Sequence, residues 1–121
     1  MVSWEATLAH PLPGDLLRRD DAPTGPRADF CRAVSEHAER YVREVLHHSD
    51  LLIPDPLAMA LEPSIVLRAH RRAVTVELVG IHTRGQTVVD WGGVTEKPAQ
   101  VDVVEVVDPD RLREMVRGAL A

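Results

Sequence analysis

The sequence predicts a mixed α/β domain in which helices come first, about three strands follow, and a helix closes the chain. Three observations lead there. Residues 27–48 place Phe30, Val34, His37 or Ala38, Tyr41 and Val45 at steps of three and four, the period of one helix face. Residues 72–81 alternate, with Val74, Val76 and Leu78 on one side, and residues 86–91 and 100–107 are further β-rich runs. Asp108-Pro109-Asp110 then opens a segment in which Leu112, Met115, Val116 and Ala119 share a face.

The bulk properties narrow the functional classes. A chain of 121 residues accommodates one domain with a core, and 45% hydrophobic with 27% charged residues is ordinary for a globular protein. No run approaches the roughly 18 apolar residues of a membrane helix. Met1-Val2-Ser3-Trp4-Glu5 lacks the basic region and apolar core of a signal peptide. The single cysteine, Cys31, excludes an intrachain disulfide framework and fits a reducing compartment, so a cytoplasmic location is expected. A net charge of −5 argues against a general nucleic-acid binder. Trp4, Phe30, Tyr41 and Trp91 are too few aromatics for a base-stacking platform.

Taken in order, the chain begins with Trp4, Leu8 and Leu12, read as buried residues with no element before them to cover them. Pro11, Pro13 and Gly14 break the chain, and Asp15 can cap a short turn through Leu16, Leu17 and Arg18. Residues 20–26 are a loop by composition. The helix over 27–48 is amphipathic and is expected to pack one face on something. Glu36 with Arg40, and Glu39 with Arg43, stand four apart in the favourable orientation. Asp55 lies between Pro54 and Pro56 and reads as the N-cap of a short helix over 56–61, since a proline suits the first helical turn. Residues 64–67 are extended. The basic run Arg68-Ala69-His70-Arg71-Arg72 is expected to be a solvated loop ahead of the main strand. Gly85 supplies a tight turn, and residues 92–98 form a loop.

Few residues invite chemistry. Asp55 either closes its helix end or points at something bound there. His47 and His48 are adjacent on a helix, so their side chains diverge by about 100° and do not share a metal; a polar helix end explains them. His82 sits at a strand end, where exposure is ordinary. Arg84 next to Gly85 reads as structural, and Cys31 as a packed, inert thiol. Ser49, His48 and Asp50 are sequence neighbours, which rarely make a catalytic triad.

Asp55-Pro56-Leu57-Ala58-Met59-Ala60, followed by a strand and then by Thr83-Arg84-Gly85-Gln86-Thr87-Val88-Val89-Asp90-Trp91, resembles the carboxy-terminal part of the inosine-uridine-preferring nucleoside hydrolases. Residues 2–7 and the Val106-Val107-Asp108 approach to the last helix extend the resemblance over nearly the whole chain. It implies a partial nucleoside-hydrolase-like α/β fold and an N-ribohydrolase chemistry. In that chemistry a Ca²⁺ held by carboxylates binds the ribose diol and a water, and an aspartate takes the water's proton. The N-glycosidic bond then breaks through an oxocarbenium-like state.

By the resemblance Asp55 is a calcium ligand, the one metal ligand that carries over. The position before it, where members place a residue near the leaving base, is Pro54, which has no proton to give. The family's Asp-rich amino-terminal motif, with most of the ligands and the base, has no counterpart among these 121 residues. The expectation is a carboxy-terminal segment that is inactive alone and acts on ribonucleosides only when completed by an amino-terminal half. The alternative is a non-catalytic α/β interaction module. Either way, uncovered apolar surface predicts self-association or a homo-oligomer, with neither nucleic acid nor membrane as partner.

Overall fold

The computed structural model describes residues 1–18 and 22–121. Its elements run α1 (Trp4–Ala9), α2 (Pro26–Glu44), α3 (Pro54–Met59), β1 (Val66–Val76), β2 (Thr87–Asp90), β3 (Val101–Val107) and α4 (Pro109–Leu120). The expected order of helices, three strands and a closing helix is therefore present. The strands form one antiparallel sheet in the order β2-β1-β3. No helix among the described residues is long and apolar enough to cross a membrane.

β1 divides itself between two partners. Its first half pairs with β3, from Val66 opposite Val107 to Arg72 opposite Val101, through an irregularity around Arg68. Its second half pairs with β2, from Ala73 opposite Asp90 to Val76 opposite Thr87. Gln100 bridges the hand-over: its backbone N–H donates to the Arg72 carbonyl at 3.2 Å and its side-chain amide to the Val74 carbonyl at 2.8 Å. At the other edge of β3, Val2 makes a parallel bridge to Val104, whose N–H donates to the Met1 carbonyl at 3.0 Å.

β1 begins earlier than expected and contains the whole basic run 68–72, which is not a loop. Cross-strand pairing explains this. Arg68 Nε reaches Glu105 Oε2 at 2.6 Å, His70 approaches the same carboxylate, and Arg71 Nη1 lies 3.1 Å from Asp102 Oδ2. The charges of β1 thus meet opposite charges on β3, as such sheet neighbours do when they stabilise a pairing.

The core gathers Leu12, Leu16, Leu57, Ile65, Val104, Val107 and Leu112, with Val2, Ile53 and Val116 against it. Leu12 reaches it because its backbone exchanges hydrogen bonds with Leu51, at 2.9 and 2.8 Å. Gly14 permits that approach: a Cβ there would stand 2.3 Å from the Ser49 carbonyl oxygen. The turn through Arg18 forms as expected, its N–H donating to the Asp15 carbonyl at 2.8 Å. The loop expected over 20–26 begins at Asp20 and Asp21, which lie outside the described residues.

Three helices differ from the sequence expectation. α1 is an addition: Ser3 caps it, its hydroxyl accepting from Ala6 N–H at 3.2 Å. At six residues it is too short to show a helical period. It leaves Trp4 and Leu8 exposed, contrary to expectation, whereas Leu12 is buried as expected. α3 starts two residues early, with Ile53 as N-cap, so Asp55 is the second helical residue and caps nothing.

α2 starts at Gly25-Pro26, carries Asp29 in its first turn and Arg43 in its last, and so suits its own dipole. The face it turns to the rest of the domain is not the apolar stripe. Ala28 and Val42 are buried, while Phe30, Val34, Tyr41 and Val45 are 66%, 54%, 50% and 54% exposed. The small inner residues allow close approach, and the polar groups there find partners. Glu39 is buried and ion-paired with Arg18 instead of Arg43. Arg32 donates to the Leu17 carbonyl at 3.3 Å, and Arg27 to the Ala119 carbonyl at the end of α4, at 3.0 Å. α4 itself is capped as expected, Asp108 Oδ1 accepting from the N–H groups of Asp110 and Arg111 at 3.0 and 3.1 Å.

One buried histidine ties the first helix to the sheet. His10 Nδ1 lies 2.8 Å from the Ala6 carbonyl, and Val107 N–H donates to Nε2 at 3.1 Å. The ring is therefore the tautomer with its proton on Nδ1, satisfying one acceptor and one donor. In His10→Ala both groups lose that partner, and each buried unsatisfied group costs about 1–3 kcal/mol. The substitution should lower the midpoint of denaturant unfolding while leaving its slope unchanged.

Candidate functional site

Two sequence stretches carry the candidate residues, and the fold treats them differently. In the first, Ile53, Pro54, Asp55 and Pro56 enter α3, where neither proline has an N–H to leave unpaired. Leu57 anchors the helix in the core, its N–H donating to the Ile53 carbonyl at 3.0 Å. Asp55, two residues earlier, is consequently directed to the surface and is exposed, with no hydrogen bond or ion pair among the described residues. Pro54 beside it is exposed as well.

The second stretch is built as a clamp of loops. Glu77 N–H donates to the Gln86 carbonyl at 2.9 Å, and Gly85 N–H to the Glu77 carbonyl at 2.7 Å. Gly85 turns the chain with φ of +89°, as its position requires. The Glu77 carboxylate accepts from Val79 and Gly80 N–H at 2.8 and 3.1 Å, and the first of these bonds does most to hold its pKa below the ordinary glutamate range. Asp90 does the same at the far end of β2. Its oxygens accept from the Thr95 hydroxyl at 2.6 Å, Thr95 N–H at 2.8 Å and Val94 N–H at 3.0 Å, lowering its pKa, chiefly through the hydroxyl. Both carboxylates are engaged in folding their own turns.

The other candidates are not brought together. α2 ends at Glu44, so His47 and His48 follow the helix instead of closing it; His47 has φ of +55°, and both are exposed. His82 is exposed in the turn before Gly85, and Cys31 is a half-buried free thiol. Among the described residues no three His, Cys, Asp or Glu side chains converge to hold a metal ion. A calcium centre takes six to eight oxygen ligands, so the described residues do not by themselves fit one.

A concavity of about 640 Å³ is lined by Ser3, Trp4, Gln86, Trp91 and Glu105 among others. It does not include Asp55. Such a concavity is a default candidate, but of its two carboxylates, Glu5 and Glu105, the second is already ion-paired with Arg68, and the Asp55 turn is the better guide. Sequence reasoning overlooked the cluster at its margin, where Arg72 lies 6.0 Å from the centre of the Trp91 ring and His70 meets the same ring edge-on at 6.4 Å. No local signal marks it, because Trp91, just past β2, joins His70 and Arg72 only in the fold.

The fold and the Asp-Pro-Leu-Ala turn can now be set beside known proteins. The family model described as inosine-uridine preferring nucleoside hydrolase matches residues 1–114. The chain belongs to that family. Among solved structures it is similar to an inosine-guanosine nucleoside hydrolase, with 26% identity and a TM-score of 0.78. The match covers 97% of this chain and 37% of that one, so the chain spans little more than a third of the length of that hydrolase. No curated protein matches it.

The lowered carboxylates have a consequence for acid stability. A carboxylate whose folded pKa is depressed contributes stability that is complete above its unfolded pKa and is lost as pH falls through the folded value. Melting temperature should therefore decline through and below the ordinary carboxylate range. In Asp90→Ala the decline should be shallower, read by circular dichroism melts across a pH series.

Proposed function

We propose that this chain supplies the carboxy-terminal part of a nucleoside hydrolase site, with Asp55 as its single ligand to a calcium ion. The substrates would be ribonucleosides, cleaved to ribose and free base. The single observation that carries this reading is the carboxylate of Asp55 at the start of α3, in the Asp-Pro-Leu-Ala turn, exposed and without a partner among the described residues. Its surroundings favour a ligand role over a capping role, because Ile53 is the N-cap and Asp55 bonds to no backbone N–H. On this reading the remaining ligands and the general base come from outside the described residues, among which no ligand set converges. Nothing in the reaction is assigned to Pro54, which cannot protonate a leaving base.

The reading has two parts that can be tested separately. Calorimetric titration of the 121-residue chain with Ca²⁺ should show no tight stoichiometric site; a tight site lost in Asp55→Ala would mean that further ligands lie within the chain. Incubation with inosine, guanosine or uridine should release no ribose above the blank, since one carboxylate provides neither a base nor an assembled metal centre. Turnover that depends on Asp55 would overturn the requirement for a second part. When the chain is combined with a family polypeptide carrying the Asp-rich motif, ribose release should appear and should fall by at least about tenfold in Asp55→Ala.

The alternative, a non-catalytic interaction module, is favoured by one observation, the exposed apolar stripe of α2. Under that reading the combined polypeptides remain inactive.

A further inference from the structure

Both tryptophans of the chain, Trp4 and Trp91, line the same concavity of about 640 Å³, and the nucleoside hydrolase reading gives neither of them a task. Its volume lies in the range of small-molecule sites. Each indole is half-exposed and so keeps ring surface free for contact. Trp4 opens α1 behind the Ser3 cap, and Trp91 follows β2, so the fold alone brings them to one cavity. Val2, Val89 and Val103 add apolar lining.

The charges around the cavity are unevenly matched. Glu105 is ion-paired with Arg68 at 2.6 Å, and His70 approaches the same carboxylate. The Met1 ammonium donates to the Asp102 carbonyl at 2.7 Å. Arg72 donates to the Arg71 carbonyl at 3.0 Å and stands 6.0 Å from the centre of the Trp91 ring, where the negative face of an indole attracts a cation. Glu5, which also lines the cavity, is exposed and has no hydrogen bond or ion pair among the described residues. Two open indoles and a carboxylate without a counter-ion therefore face one space.

We propose that this concavity binds a small organic cation whose charge is covered by apolar groups, the chemistry of a quaternary ammonium. Methyl groups around the nitrogen give the indoles and valines an apolar surface to contact. The positive charge is attracted by the ring faces and by the Glu5 carboxylate. A hard metal ion is a poor match, since it needs several oxygen ligands and gains nothing from the indoles. An anion would meet two carboxylates, and a neutral apolar molecule would leave Glu5 without a counter-charge. Asp55 is not part of the lining, so this inference does not depend on its being a metal ligand.

Choline serves as the probe, because it is transparent where the two tryptophans of the chain absorb and emit. Titration of the 121-residue chain at constant ionic strength should change tryptophan fluorescence saturably, with a dissociation constant of about 0.1 to 1 mM. The neutral tert-butyl analogue of choline has the same shape without the charge and should bind at least about tenfold more weakly. Glu5→Gln removes the counter-charge, and Trp4→Leu removes one ring while leaving Trp91 as reporter. Each should weaken choline binding at least about fivefold, with the circular dichroism of the parent chain retained. No saturable change up to about 20 mM choline would overturn the proposal. So would equal binding of the neutral analogue, a comparison made on the parent chain alone. Undiminished binding in both variants would overturn it as well.

Discussion

A strand interior to a sheet must find partners for the backbone N–H and C=O groups of both its edges. β1 meets it on one edge at a time, pairing with β3 over its first half and with β2, on its other edge, over its second, and the rest of the molecule is arranged by that division. Where β3 lies alongside, its far edge receives Val2, and its Val104 and Val107 supply the floor on which α3 and α4 pack. Where β2 takes over, no helix is needed to hold the ladder, and the connecting loop is held by the Glu77 carboxylate and the Gly85 turn. Gln100 stands at the junction and carries the β3 side of the ladder one step further with its side chain.

What could be read in the sequence was whatever local chemistry decides. The cap at Asp108 is one example, since its carboxylate bonds the first N–H groups of α4 whatever else the chain does. The turn at Gly85 is another, because its positive φ excludes most other residues there. The strand at 101–107 shows a β-rich apolar run that survives burial. What could not be read depended on partners far away in sequence. The basic run 68–72 is a strand because Glu105 and Asp102 stand opposite it, more than thirty residues later. His10 is a tie between α1 and β3 because of Val107, and a lone histidine after Ala9 offers no local sign of this.

α2 illustrates a different limit. Periodicity established that a helix forms and which residues share a face, and both inferences hold. It could not establish which face turns inward. That is decided by fit: the side carrying Ala28, Cys31, Ser35 and Val42 is narrow enough to sit beside the 12–17 turn, and Glu39 could be buried there only because Arg18 supplies a counter-ion. The bulkier stripe is left outside as a result. A strongly apolar face therefore identifies a surface to be covered, without specifying whether the cover comes from the same chain.

Two unsatisfied surfaces among the described residues, the carboxylate of Asp55 and the stripe on α2, are close in sequence yet make separate demands. Asp55 stands on a helix whose Leu57 is fixed in the core, so its position is set by the same packing that holds β3 and α4. The stripe side chains contribute nothing to that core, and covering them adds contacts without altering the packing beneath Leu57. A carboxylate without a counter-ion stays hydrated and costs little until something displaces its water. Exposed aromatic and branched side chains behave oppositely, since their contact with water is itself the unfavourable term. Hydrophobic association thus provides a driving force for covering α2 in any aqueous setting. The site at Asp55 gains one only when a cation and its remaining ligands arrive together.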